Sequence, residues 1–424
     1  MNSVSLPGGP SAVASHRMVR RGGFGLCLGL CLGLGLGLGL WLGVALPALP
    51  AAPVPTLAVD VDWSRLTEPG VIEVALPAGP RIFSLPTPAS NVVAMSLLGP
   101  GAGSTRESAV WVFNQDATRL QVELPAVRGG GGAGQEAAVL VVEVSETTRQ
   151  LPDGRIVFSA LDAVVQGNKA RLETHPGNHR IGFWTEAADS VSWSYKPTRW
   201  GRYDVELAYS ADGGRGTEVV VEVAGQRLAA ARPGTGSWYR YRTLPLGRIY
   251  LAKSDPFQVK VSCPSLKGPA ALNLKAVILR PAPEGEPIFQ QPGGDVALHA
   301  RDALTHSTTM RYEPATNKNC LGYWVNPRDW AEWEFTLSQP GTFEVELWQG
   351  CGKGQGGSEV AVQAGGSRLS FVVEDTGHFQ NFVPRRLGRV TFASRGPQRL
   401  AVLPIRKQGA AVMDVRLVRL IPVP

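Results

Sequence analysis

The chain has 424 residues, 50 of them Gly and 33 Pro, and a formal net charge of +7; that length admits about two to four domains. Three of the positive charges, Arg17, Arg20 and Arg21, precede an N-terminal apolar run and the rest are dispersed, so no basic stripe or groove-reading motif points to nucleic acid. Short Val-, Leu- and aromatic-rich runs between Gly and Pro read as β-sheet, and the absence of long 3.6-period stripes beyond the N-terminus excludes a helix-built fold.

Residues 1–52 read as an export segment. Basic residues precede an apolar run over 24–46, and small residues follow, with Ala48 or Ala52 flanking a cleavage site. The run approaches the roughly 20 residues that span a bilayer, and Gly29, Gly33 and Gly37 recur at every fourth position. Cleavage, giving a secreted, periplasmic or cell-surface protein, is the leading expectation; the alternative is a retained transmembrane anchor. Cys27 and Cys31 each follow a leucine, not the small residue of a lipoprotein signal.

Residues 55–147 form a smaller unit with candidate strands at 71–76, 92–98, 110–113, 120–124 and 138–144, separated by Gly and Pro. The series VVAMSLLG, AVWVFNQDATRLQVELPA and AAVLVVEV resembles the C-terminal β-sandwich of family 29 α-L-fucosidases.

Residues 148–283 and 284–424 are two copies of one unit. Asp162, Arg171, Glu173, Gly182, Trp184, Asp189 and Trp193 recur 140 positions later as Asp302, Arg311, Glu313, Gly322, Trp324, Asp329 and Trp333. After one added residue the offset becomes 141, so that Leu246-Gly247-Arg248 meets Leu387-Gly388-Arg389. Each copy is long enough for its own core, and residues 281–294 are the Pro/Gly-rich linker between them. YDVELAY against FEVELWQ, and TEVVVEV against SEVAVQA, alternate with period two, which predicts antiparallel sheets packed face to face. The fold expected for the whole is all-β, with three antiparallel sandwiches after the N-terminal apolar segment. Trp184, Trp324, Trp193 and Trp333 are expected in the cores. Phe183 and Tyr323, next to core tryptophans, are expected to face outward by strand alternation.

Each copy resembles a galactose-binding-like jelly-roll module of carbohydrate-binding families 6 and 35. The resemblance is carried by Ala300-Arg301-Asp302-Ala303, Gly322-Tyr323-Trp324, Asp329-Trp330, Gly341-Thr342-Phe343, Thr376-Gly377-His378-Phe379 and Val412-Met413-Asp414, with Leu272-Asn273-Leu274 closing the first copy. It implies a cleft with two loop aromatics and an Asn near the last strand. Those positions fall on Phe183, Trp238 and Asn273 in the first copy and on Tyr323, Phe379 and Asp414 in the second. The first copy keeps Trp and Asn, the second keeps Tyr, and neither has the whole set. Trp330, Trp348, Asn317 and Asn319 belong to the second copy alone and are either ligand-specific or surface residues. The family's structural calcium needs an acidic residue where this chain has Leu161 and Arg301, so no cofactor is expected.

Among the thiols, Cys320 and Cys351 share a copy and are the candidate disulfide, Cys263 being left over; the first copy has Arg180 at the Cys320 position, so the fold does not require the bridge. Cys263-Pro264-Ser265-Leu266 lacks the Arg of a sulfatase nucleophile segment, and five of the histidines (His175, His179, His299, His306 and His378) show no metal-ligand spacing. The expectation is an exported, non-catalytic protein that binds polysaccharide, fucosylated or sulfated glycans included. The alternatives are a structural or protein-interaction component of the envelope, and a fucosidase-related hydrolase without its barrel.

Overall fold

A computed structural model describes residues 56–423 apart from 63–69, 79–80, 87, 89–91, 99–105, 108–111, 116–118, 125–137, 145–146, 176–177 and 214–215. The expected export segment, with the apolar run 24–46 and both cleavage positions, lies outside the described residues. Among those described, no helix is long and apolar enough to cross a membrane. They fold as strands joined by turns, with short 3-10 turns at Ala160–Asp162 and Ala300–Asp302, the same place in each copy.

The second copy is two sheets face to face. One orders Ile288–Phe289, Trp330–Leu337, Gly396–Arg406, Glu359–Ala364 and Ser367–Val372; the other orders Arg311–Glu313, Cys320–Gly322, Asp414–Pro422, Gly341–Cys351 and His378–Phe392. Odd positions of Gly341–Cys351 (Phe343, Val345, Leu347) enter the core while Glu344 and Glu346 face out, as period two requires. The core tryptophans are where alternation placed them: Trp184, Trp324, Trp193 and Trp333 are all buried.

The first copy repeats this plan, with one difference that the sequence did not predict. Its strand Ser237–Leu251 pairs, through Arg240 with Asn114 and Tyr241 with Phe113, onto Val112–Gln115 of the preceding segment. The two units therefore share one 11-stranded sheet. Tyr241 belongs to the core of the preceding segment, and the fully buried Lys275 donates to the Val92 carbonyl there at 3.4 Å. Asn273–Pro281 is accordingly buried on nearly every residue rather than on alternate ones.

Two details add to the expected all-β sandwich plan. The sheets are not purely antiparallel: Thr56–Ala58 runs parallel to Ile82–Pro86, and Ile288–Phe289 parallel to Trp330–Leu337. The predicted linker also contains structure, because Ile288 and Phe289 pair with Phe335 and Thr336 and Gln290 accepts from the Ser338 hydroxyl at 2.8 Å.

Candidate functional site

The Leu-Gly-Arg motif shared by the copies is a β-bulge. Opposite Val205/Glu206 the partner strand skips from Gly247 to Pro245, and opposite Val345/Glu346 it skips from Gly388 to Arg386. The extra residues, Leu246 and Leu387, pack on the two cores. The bend they introduce lies in the long strand that also bears the second cleft aromatic.

In the first copy the short strand Arg180–Gly182 ends against the Glu173 carboxylate, so closely that a Cβ at Gly182 would overlap it. The next residue, Phe183, takes a left-handed backbone with φ 52°. This turns its ring outward to 49 % exposure while Trp184 is buried. Phe183 thus faces solvent, but through a left-handed residue after the strand rather than through strand alternation. The Arg171 guanidinium lies over the ring, its carbon 3.6 Å from the ring centroid.

Trp238 is half-buried and packs on the first copy's core. Its backbone carbonyl accepts from Asn273 Nδ2 at 2.9 Å and from Ser210 Oγ at 2.6 Å. Trp238 and Asn273 are therefore brought together, but the Asn273 side chain is buried and its amide donates to the chain itself. Strand alternation sends the neighbour, Tyr239, outward to 50 % exposure, with its ring 5.4 Å from the Arg180 guanidinium. Arg180 is held in turn by Glu173 at 2.9 Å. Sequence reasoning missed Tyr239, Arg171 and Arg180. The Ser237-Trp238-Tyr239-Arg240 alternation was the available signal for the first of these.

The second copy holds the same positions differently. Tyr323 has φ 59° and 44 % exposure. Its ring packs on Arg311, whose guanidinium lies 3.5 Å from the Tyr323 centroid and 3.6 Å from that of Trp200. Trp200 comes from the first copy and meets Tyr323 edge to face at 5.9 Å. Beside it Arg199, also from the first copy, is buried and donates to Thr305 Oγ1 at 2.7 Å and to the Ser307 carbonyl at 3.3 Å. The Thr198 hydroxyl donates to the Thr308 carbonyl. Phe379 is half-buried with its ring against Gly352. Asp414 is buried, accepts from Cys320 Sγ at 3.6 Å, and also bonds the Gln380 side chain. Burial, with the Glu313 charge adding to it, pushes the Asp414 carboxyl up to about 7. Burial and the Asp414 carboxylate raise the Cys320 thiol.

Cys263, Cys320 and Cys351 are all free thiols, so the candidate Cys320–Cys351 bridge is not formed; Cys320 turns to Asp414 instead. The polar and aromatic residues particular to the second copy engage this chain. Trp330 stacks on His306 at 3.7 Å, His306 Nε2 lies 2.9 Å from Glu332 Oε1, and Trp348 Nε1 donates to Glu346 at 3.0 Å. Asn319 accepts from the Tyr312 hydroxyl at 2.7 Å, and the Asn317 carbonyl accepts from Arg416 at 3.0 Å.

No protein-family profile matches the chain, and no curated protein sequence does. Among solved structures it is similar to the GH26-CBM35 β-(1,4)-mannanase of Podospora anserina, at 16 % identity and a TM-score of 0.27, over 33 % of this chain and 30 % of that one. It is similar to a family 35 carbohydrate-binding module from Clostridium thermocellum at 16 % identity and a TM-score of 0.27, over 30 % of this chain and 99 % of that one. A Paenibacillus xanthan lyase matches over 85 % of this chain at 13 % identity and a TM-score of 0.28, and the chain spans 33 % of that enzyme.

Proposed function

We propose that this is an exported, non-catalytic glycan-binding protein whose first copy makes the contact, with Phe183 and Tyr239 as platforms and the exposed Arg171 supplying donors. The observation that carries the reading is the pair of half-exposed rings, each set on an arginine of one short hairpin. A sugar ring offers an apolar face rimmed by hydroxyls, and a site for it needs aromatic platforms with a few hydrogen-bonding groups. The corresponding ring of the second copy already has Trp200 against it. In this reading the preceding segment is an accessory sandwich of the fucosidase C-terminal kind, and export proceeds by cleavage between Ala48 and Ala52.

Affinity electrophoresis of the full chain in gels of fucosylated, galactosylated and sulfated polysaccharides tests the binding. Retardation by at least one is expected, and retardation by none ends the reading. Phe183→Ala should weaken binding by about 1–3 kcal/mol, roughly tenfold to hundredfold, while Tyr323→Ala changes it by less than about twofold. Trp238→Ala should lower the melting temperature as well as the affinity, because that ring is also core. N-terminal sequencing of the extracellular fraction checks the export step; a chain that keeps Met1 and stays with carbonate-washed membranes is an anchored one.

One observation favours a second reading, a protein-interaction module. In the second copy the Arg-aromatic pair receives a tryptophan of the polypeptide, and the first copy presents its own pair, with Leu172 and Val164 also exposed nearby in the chain. Binding of a peptide of residues 196–202 to the full chain, with no glycan retained, would select it.

A further inference from the structure

We propose that the second copy holds a thiophilic divalent cation, of the zinc type, between Glu313, Cys320 and Asp414. The three residues come from three neighbouring strands, Arg311–Glu313, Cys320–Gly322 and Asp414–Pro422. Each is buried, at 6 %, 0 % and 5 % exposure, and one ligand atom from each lies within 4.8 Å of the other two. Ligands of a tetrahedral zinc at about 2.0–2.3 Å stand roughly 3.4–3.8 Å from one another. Cys320 Sγ and Asp414 Oδ2, 3.6 Å apart, already have that spacing.

The first copy supplies an independent comparison at the same three positions, Glu173, Arg180 and Asn273. There one carboxylate faces one guanidinium at 2.9 Å, and the third group is a neutral amide that donates to the Trp238 carbonyl. The charge of that cluster is cancelled by a cation attached to the chain. In the second copy the cation-bearing side chain is a thiol and the amide is a second carboxylate, which has no N–H to give. The compensating charge in contact with the cluster is Lys318, whose Nζ donates to Glu313 Oε1 at 2.6 Å, and Arg416 acts on the Cys320 thiol without a bond to it. Two carboxylates and a thiolate, set against Lys318 and a divalent ion, sum to neutral, which is the condition for burying such a set.

The donor types select the ion. Calcium and magnesium take oxygen shells, whereas a thiolate with carboxylates suits zinc and its neighbours. Gln380, bonded to Asp414, is positioned to complete or orient the shell. The ion would enter past Lys318, the most exposed side chain of the cluster.

Titration of the reduced, chelator-stripped full chain with Co²⁺ tests the proposal. One equivalent should bind with a sulfur-to-cobalt charge-transfer absorption that zinc displaces, and either metal should raise the melting temperature. Cys320→Ala should lose the absorption, and Asp414→Asn, which keeps the sulfur, should weaken binding by about tenfold or more, while Cys263→Ala, in the other copy, retains both absorption and affinity. The pair Cys320→Arg with Asp414→Asn, which installs the first copy's arrangement, should stay folded without metal and bind none. Should that pair fail to fold, the two single variants still decide. Absence of stoichiometric binding, or an absorption that survives Cys320→Ala, overturns the site.

Discussion

Asp189 and Asp329 occupy one position in the two copies and are held by different neighbours. Asp189 accepts from the backbone N–H groups of Asn168, Lys169 and Ala170 at 2.9, 3.2 and 2.7 Å. Gly167 makes this possible, since a Cβ there would overlap the carboxylate. The second copy has Ser307 instead; its hydroxyl accepts from Thr309 and Met310 and donates to Asp329 at 2.5 Å. Several amide donors have been replaced by one hydroxyl, and burial pushes Asp329 up from 3.8 to about 6. In that window the folded chain holds a proton that the unfolded chain has released. This contribution to stability is complete below pH 3.8 and is lost as pH rises through about 6. Asp329→Asn, which does not titrate, should therefore gain on the parent by up to about 3 kcal/mol between pH 4 and pH 7.5. Urea unfolding of both proteins at the two pH values measures this, and a difference independent of pH would contradict it.

At the scale of elements, the bulges make the sharpest prediction. Gly247 and Gly388 have φ 134° and 128°, a region open to glycine but not to residues with a Cβ. A Cβ at Gly388 would also stand 3.2 Å from the Leu369 side chain. Gly388→Ala should cost about 1–3 kcal/mol. Gly366→Ala, at a turn with φ 75° and open space around it, should cost about 1 kcal/mol. Thermal unfolding ranks them, and equal costs would mean that the bulge relaxes.

The Leu-Gly-Arg recurrence was visible in the sequence, as were the strand pairs and the buried tryptophans, because duplication and period two are both local signals. The bulge itself was not, since it appears only when a strand is set against its partner. The outward turn of Phe183 was anticipated for the wrong cause. A left-handed residue after a glycine leaves no periodic trace, whereas alternation does. The thiol–carboxylate contact joins Cys320 to Asp414 across 94 positions, and nothing in the spacing of cysteines announced it.

At the scale of the molecule, the junction between copies was the least legible feature. Arg199 and Trp200 occur in the first copy only, where the second has Gln339 and Pro340, so the duplication that revealed the fold concealed this contact. Arg199 donates across the junction from a buried position, and hydrogen bonds from a charged donor contribute about 1.5–3 kcal/mol each. The parent should melt in calorimetry with the copies coupled. Arg199→Ala should separate a lower-melting component, and an unchanged single transition would show that the coupling resides elsewhere.

Trp200 also sets the valency of the molecule. Two tandem modules would ordinarily engage a polymer at two points, and the second attachment would profit from the high local concentration created by the first. In the reading proposed above, the second copy's ring Tyr323 is met by Trp200 of its neighbour, which leaves Phe183, among the described residues, as the outward ring of this pair. Binding to a densely decorated surface should then follow a simple hyperbola with fast release, and lengthening the polymer should bring no gain in avidity. Trp200→Ala would free Tyr323 and turn a univalent ligand into a bivalent one.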